Sequence, residues 1–332
     1  SDQNPYACEF VYIKDDIEHV IDSKPCNRPG NVLTDKINNK VYYILSEPTG
    51  PASDGGADFT NIATTKMYEY SYSPSNDQLT LIETHAVTPS ESDGKIRQGV
   101  NMDESGNIVI AYGTYSGYMN VYTFDISNRI WNHQSFLSND TNDSLMYASV
   151  AMIDLDHIYV LAEQDTSNGN GTFYQYVKFF AIEDGNITST IIADYRDHPL
   201  AEKHDSLVIN GDIEIFNGQV HMMAIATKFF EVTYYIYSDN AFTKQDTSYL
   251  NKDTKNAKFF IQDNELNIST MSLKYGFLFP TFNIYNTILK TKTYTITSVI
   301  FNNYFYIDAT DDALHLLIYS KNKGSLYYIN TK

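Results

Sequence analysis

Residues 31–47 read NVLTDKINNKVYYILSE. An alternating run ends on Asp35, a short polar turn follows, and a second run of β-branched and aromatic residues opens at Val41. Alternation with period two is the mark of a strand, and Asp at the end of a run starts a turn because its side chain bonds the backbone two residues on. The stretch therefore reads as a β-hairpin.

The same pattern returns five times. The copies are GVNMDESGNIVIAYG (99–113), SVAMIDLDHIYVLAE (149–163), DIEIFNGQVHMMAIAT (212–227), KFFIQDNELNISTMS (258–272) and YFYIDATDDALHLLIYS (304–320). Asp35, Asp103, Asp154, Asn217, Asp263 and Asp308 are read as the turn-starting residues. A second hairpin follows each of the first five, as in MYEYSYSPSNDQLTLIE (67–83) and YVKFFAIEDGNITSTII (176–192).

Two hairpins in succession make a four-stranded antiparallel unit. Unit starts near 31, 99, 149, 212, 258 and 304 give a mean spacing of about 55 residues, slightly above the usual length of a propeller blade. No helical periodicity interrupts them. The expected fold is an all-β, six-bladed β-propeller formed by residues 1–332 as a single domain. The sixth unit supplies three strands, so residues 1–30 are expected to close the last blade with an N-terminal strand or hairpin. A β-sandwich or β-solenoid is the alternative.

Composition narrows the function. Tyr numbers 28 and Phe 18 against one Trp, and 42% of residues are hydrophobic, which suits a packed β protein. The net charge is −18 and only four residues are Arg. Such a chain is repelled by nucleic acid and anionic lipid, so neither is an expected partner. No apolar run is long enough to cross a bilayer, and membrane insertion is not expected. The start at Ser1 without Met reads as a processed or trimmed N-terminus.

The two cysteines, Cys8 and Cys26, flank two short alternating runs around Lys14-Asp15-Asp16. A hairpin there brings them together, so a disulfide is expected, with two free thiols as the alternative. A disulfide implies an oxidising compartment, hence an extracellular or cell-surface protein. Asn139, Asn142, Asn170, Asn186 and Asn267 open N-x-S/T sequons that permit glycosylation.

By analogy with other propellers, ligands dock on the face formed by the loops entering each first strand and those joining second to third strands. Long loops fall there at 48–66, 86–97, 164–175 and 195–206. The loop YRDHPLAEKHDS (195–206) concentrates Arg196, His198, His204 and Asp205, a set suited to metal ligation or proton transfer; the alternative is a solvated polar loop. Glu47 and Glu163 are read as equivalent second-strand ends, where paired carboxylates hold a cation or act as acid and base. Arg97 enters a first strand, where it could hold an anion. His157, His221 and His315 lie in or beside strands and are expected to be packed or edge residues.

The run DATDDALHLLIYSKNKGSLYYI (308–329) resembles a hairpin of the β-propeller phytases, which carries D-A-x-D-D-P-A-[IV]-W followed by K-x-G-L-x-V-Y. The resemblance implies a six-bladed, secreted, calcium-dependent hydrolase whose acidic channel gathers Ca²⁺ to bind phosphate. Asp308, Asp311 and Asp312 match that family's acidic residues and are the implied metal ligands. Ala313 stands where the family has Pro, and counterparts of its phosphate-binding Lys and Arg are not found. The residues favour a role in binding a glycan, small molecule or protein on the loop-rich face. They leave open a cation-dependent propeller enzyme, a hydrolase or lyase of phytase or lactonase type, and whether the protein is an enzyme at all.

Overall fold

The computed structural model describes residues 7–14, 17–26, 30–48, 63–76, 78–88, 98–114, 116–138, 143–167, 173–194, 209–226, 231–250, 254–274, 279–297, 304–310, 313–320 and 325–331. The described residues form strands and turns, with no helix among them. The chain divides into two compact units, Ser1–Leu145 and Met146–Lys332.

The first unit opens with a hairpin, β1 (Ala7–Lys14) and β2 (Ile17–Pro25). Blade one follows in the order β3 (Asn31–Asp35), β4 (Lys40–Pro48), β5 (Ala63–Ser73), β6 (Gln78–Ala86). Blade two is β7 (Gly99–Met102), β8 (Ile108–Gly113), β9 (Tyr118–Asp125), β10 (Ile130–Leu137). Every neighbouring pair is antiparallel. Strand β8 is apolar on both faces because both are covered, and it is buried throughout. Outer strands β6 and β10 are mostly exposed. Tyr42, Ile44 and Met67 of blade one pack on Ile108, Ile110, Tyr112, Tyr122 and Phe124 of blade two.

The second unit holds three more four-stranded blades in sequential order. Blade three is β11 (Asp143–Asp154), β12 (His157–Ser167), β13 (Phe173–Glu183), β14 (Asn186–Asp194), its first strand beginning at the unit boundary. Blade four is β15 (Ile209–Phe216), β16 (Gln219–Ala226), β17 (Glu231–Ser238), β18 (Ala241–Lys244). Blade five is β19 (Thr254–Gln262), β20 (Glu265–Lys274), β21 (Phe279–Asn286), β22 (Lys292–Thr297). First strands are stitched to one another. Ser149 Oγ donates to the Gly211 carbonyl at 2.9 Å, Lys258 Nζ donates to Asp212 at 2.7 Å, and the Phe259 amide donates to the same carboxylate at 2.7 Å.

The expected six blades become five. The last sheet, β23 (Tyr304–Thr310), β24 (Ala313–Ser320) and β25 (Ser325–Thr331), has three strands. The N-terminal residues do not add a fourth, because β1 and β2 form a two-stranded sheet of their own, paired from Ala7↔Pro25 to Lys14↔Ile17. A Cys8–Cys26 disulfide ties its ends, with Cα atoms 5.7 Å apart. The apolar side of this hairpin is taken up by blade one: Phe10 and Cys26 are buried with Tyr43, Leu45, Tyr68 and Tyr70. Phe10 stacks on Tyr43 at 5.0 Å.

The turn-starting residues work in two ways. Asp35, Asp103 and Asp154 accept backbone amides from Asn38, Ser105 and Asp156 at 2.9 Å each. Asn217 and Asp263 instead adopt positive φ, 51° and 53°, followed by Gly218 and Asn264 at 71° and 57°. These are two-residue hairpin turns whose twist matches the strands. In the last sheet Asp308 lies within β23 opposite His315, two residues short of the strand's last pair, Thr310 with Ala313, rather than past the end of its strand as Asp263 does.

Candidate functional site: the polar ends of the second strands

Strand register locates one place that recurs in all five blades. It combines the residue seven positions after the start of the second strand, or six in blade two, with the third-strand residue opposite the position two before. In blade one the pair is Glu47 and Lys66, since Leu45 faces Lys66. It is Thr114 and Asn120 in blade two, and Gln164 and Lys178 in blade three. It is Ala226 and Thr233 in blade four, and Ser272 and Asn283 in blade five. Nine of these ten residues are polar. Each pair sits where the second strand leaves for the third.

This register corrects the pairing of Glu47 with Glu163. Side chains alternate across a strand, so a one-residue offset moves a group to the other face. Glu47 corresponds to Gln164, and Glu163 corresponds to Ser46. Glu163 is buried on the opposite side of its sheet from Lys178.

Glu47 is buried and fully engaged. Lys66 Nζ donates to its Oε2 at 2.6 Å, and the Tyr68 hydroxyl donates to its Oε1. Around it, the Tyr70 hydroxyl donates to Asp22 at 2.9 Å, Lys24 pairs with Asp22 at 3.1 Å, and the Lys24 ammonium lies 5.1 Å from the Tyr68 ring centre. Burial pushes the Tyr43 hydroxyl up to about 12, with the charges of Asp22 and Glu47 adding to it. Burial and the Glu47 carboxylate also raise Tyr68. These phenols are proton-bearing donors at neutral pH, suited to holding a carboxylate or a sugar oxygen in place and unsuited to abstracting a proton.

A second cluster went unread in the sequence. Glu69 on β5 has a side chain with no exposed surface, and three cations or potential cations converge on it. Lys40 Nζ donates to Oε1 at 2.6 Å, Arg129 Nη2 to Oε2 at 2.7 Å, and His85 Nε2 lies 3.3 Å from Oε2. Arg129 also pairs with Glu83. Burial alone would raise Glu69, but the bonds from Arg129, Lys40 and His85 outweigh it and pull it down to about 2. Glu69, Glu83 and His85 present three potential metal-ligand atoms within 4.8 Å of one another. Arg129 occupies that convergence, so the arrangement reads as an ion network joining blade one to the β9–β10 turn. The available signal was Glu69 itself, an acid in the aromatic run MYEYSYS on the same face as Met67.

The remaining expected site residues are placed as follows. Arg97, Arg196, His198, His204, Asp205, Asp311 and Asp312 lie outside the described residues, as do sequon residues Asn139, Asn142 and Asn170. Asp308 is placed by backbone only, in β23. Asn186 opens β14 and is exposed. Asn267 is buried in β20, its Nδ2 donating to the Glu265 carbonyl at 3.0 Å. His157 bonds Asp154 at 2.8 Å, and His221 is buried against Phe216, Tyr234 and Phe259.

No protein-family model matches the chain, and no curated protein sequence matches it. Solved structures do. A protein of unknown function from Dyadobacter fermentans aligns over 90% of this chain and 92% of its own, with TM-score 0.59 and 10% identity. An α-L-arabinanase of Penicillium chrysogenum complexed with arabinobiose aligns over 91% and 92%, with TM-score 0.54 and 10% identity. The polysaccharide lyase Uly1 aligns over 92% and 78%, with TM-score 0.52 and 11% identity. At this identity the likeness establishes fold: the chain is a β-propeller built of four-stranded antiparallel blades.

Proposed function

We propose that this protein is a secreted or surface-displayed β-propeller that binds a glycan around Glu47 and Lys66, on the loop-rich side of the blades. The carrying observation is this carboxylate–ammonium pair, 2.6 Å apart with 34% of the Lys66 side chain exposed, at a place where the blades recurrently set polar residues. A charged pair and a neighbouring phenol held on rigid strands match the hydrogen-bonding groups of a sugar. Two of the fold neighbours are an arabinanase carrying arabinobiose and a polysaccharide lyase, which favours the glycan over other ligands. The disulfide supports an oxidising compartment.

The test is a glycan array probed with the purified protein, followed by titration of any hit against Glu47→Gln and Lys66→Met. Binding that weakens at least tenfold in both variants supports the reading. A protein that binds no glycan, or binds equally well in both variants, overturns it.

The second reading is a cation-dependent hydrolase or lyase, and its support is the acidic run at Asp308, Asp311 and Asp312. It predicts Ca²⁺ in the purified protein and a large fall in melting temperature in EDTA. A metal-free protein indifferent to EDTA rejects it.

A further inference from the structure

Blade five departs from the others at the recurring place. Thr270 and Ser272 lie two apart on β20 and so share one face of the sheet. The same face carries Ile268 and Leu266, which pack on Phe216, Met223, Ile225 and Tyr234 of blade four. Its lower half is thus an ordinary apolar interface. Its upper half is mostly polar: Thr270 faces Ala257 on β19 and Asn283 on β21, and Ser272 faces Thr254 on β19 and Thr281 on β21. In the other blades the positions of Thr270 and Ser272 hold Leu45 and Glu47, Tyr112 and Thr114, Ala162 and Gln164, and Ala224 and Ala226.

Both hydroxyls are wholly buried, and neither Thr270 Oγ1 nor Ser272 Oγ has a hydrogen-bond partner among the described residues. A buried hydroxyl without a partner forfeits its hydration with nothing in return. Two such groups on adjacent same-face positions, flanked by a carboxamide and further hydroxyls, are a seat for a small guest that both donates and accepts. We propose that an ordered water molecule occupies this seat and bridges Thr270 Oγ1 to Ser272 Oγ, forming part of the interface between blades four and five. The seat's complete burial selects water over a ligand hydroxyl, because nothing larger than water reaches groups with no exposed surface. Two to four polar partners are what a buried water needs, and the two hydroxyls with their neighbours supply them.

The inference is independent of the glycan reading and is tested on stability. Thr270→Val and Ser272→Ala remove one hydroxyl each at nearly constant volume, and Thr270→Ser keeps it. If water bridges them, each removal lowers the melting temperature, the double variant lowers it by less than the sum of the two because the same water is lost once, and Thr270→Ser retains cooperative single-state unfolding with a smaller loss than Thr270→Val. If the hydroxyls face only protein, removing either raises the melting temperature, and that result overturns the proposal. A crystal structure of the wild-type protein reads the seat directly: density within hydrogen-bonding distance of both hydroxyls supports the bridge, and none there overturns it.

Discussion

His221 makes this fold sensitive to mild acid, and the size of the effect follows from its surroundings. Its ring sits between Phe216 and Phe259, is bonded to the Tyr234 hydroxyl at 2.7 Å, and is 5% exposed. Burial among aromatic rings disfavours the imidazolium, and although the Phe216 backbone works in the other direction, the ring is pulled from an ordinary 6.5 to about 4. The folded state therefore holds neutral His221 while the unfolded chain protonates near 6.5. The stability this contributes is intact above pH 6.5 and is lost as pH falls toward 4. At about 1.4 kcal/mol for each tenfold difference in proton affinity, the full loss is about 3 kcal/mol, of which about 2 kcal/mol is gone by pH 5. The assay is denaturant unfolding of wild-type protein and His221→Phe at pH 7.5, 6, 5 and 4.5. Carboxylates titrate in both proteins, so the quantity of interest is the difference in slope. Wild type should lose about 2 kcal/mol more than the variant between pH 7.5 and 5. Parallel curves would show that His221 is hydrated or charged in the fold, and the burial argument would fail.

Other outcomes follow from the same geometry. Arg129→Ala leaves the buried Glu69 with Lys40 and His85 alone; with Arg129 itself 40% exposed, we expect a loss of about 1–3 kcal/mol by urea unfolding, and no loss would mean the network is solvent-screened. Cys8→Ser with Cys26→Ser removes a link of 18 residues' separation and should cost about 3 kcal/mol, read as a lower melting temperature that reductant reproduces in the wild type. Gly113→Ala should be severely destabilising, since a Cβ there would lie 2.5 Å from the Leu145 carbonyl oxygen, and a wild-type melting curve would refute that packing. Gly106→Ala places a side chain at φ 88° and 3.2 Å from Asp35 Oδ2, and should cost about 1–2 kcal/mol, whereas Gly185→Ala at φ 77° meets no atom and should cost less.

The fold was legible because its signal is local and repeated. Period-two runs and Asp or Asn turns marked the strands of each blade, and the single pair of cysteines around a hairpin marked the disulfide. What the sequence misplaced were offsets of one to three residues. Asp308 looks like Asp263 when the runs are aligned by their acids, yet the hydrogen-bond register sets Asp308 inside its strand and Asp263 past the end of its own. Glu47 and Glu163 look equivalent when the runs are aligned by their ends, yet they face opposite sides of their sheets. Sequence spacing cannot register such shifts because turns of two and four residues are interchangeable between similar strands. The Glu69 network was illegible for a different reason: its members are separated by up to 89 positions, from Lys40 to Arg129, and only blade packing joins them.

The N-terminal hairpin has a consequence for how the chain is made. It is complete, and its cysteines are within bonding distance, about forty residues before Tyr68 and Tyr70 are synthesised, which at 5–20 residues per second is an interval of seconds. During that interval the hairpin's buried residues, Phe10 and Cys26, have no blade to rest on. An oxidising environment with a disulfide catalyst would lock the loop early and deliver a preformed cover to blade one. In a reducing compartment the same segment would meet blade one unlinked, leaving Tyr43, Tyr68 and Tyr70 as an aromatic sheet face open to other chains. The staple would therefore make the covering of that aromatic face depend on the redox conditions in which the chain folds.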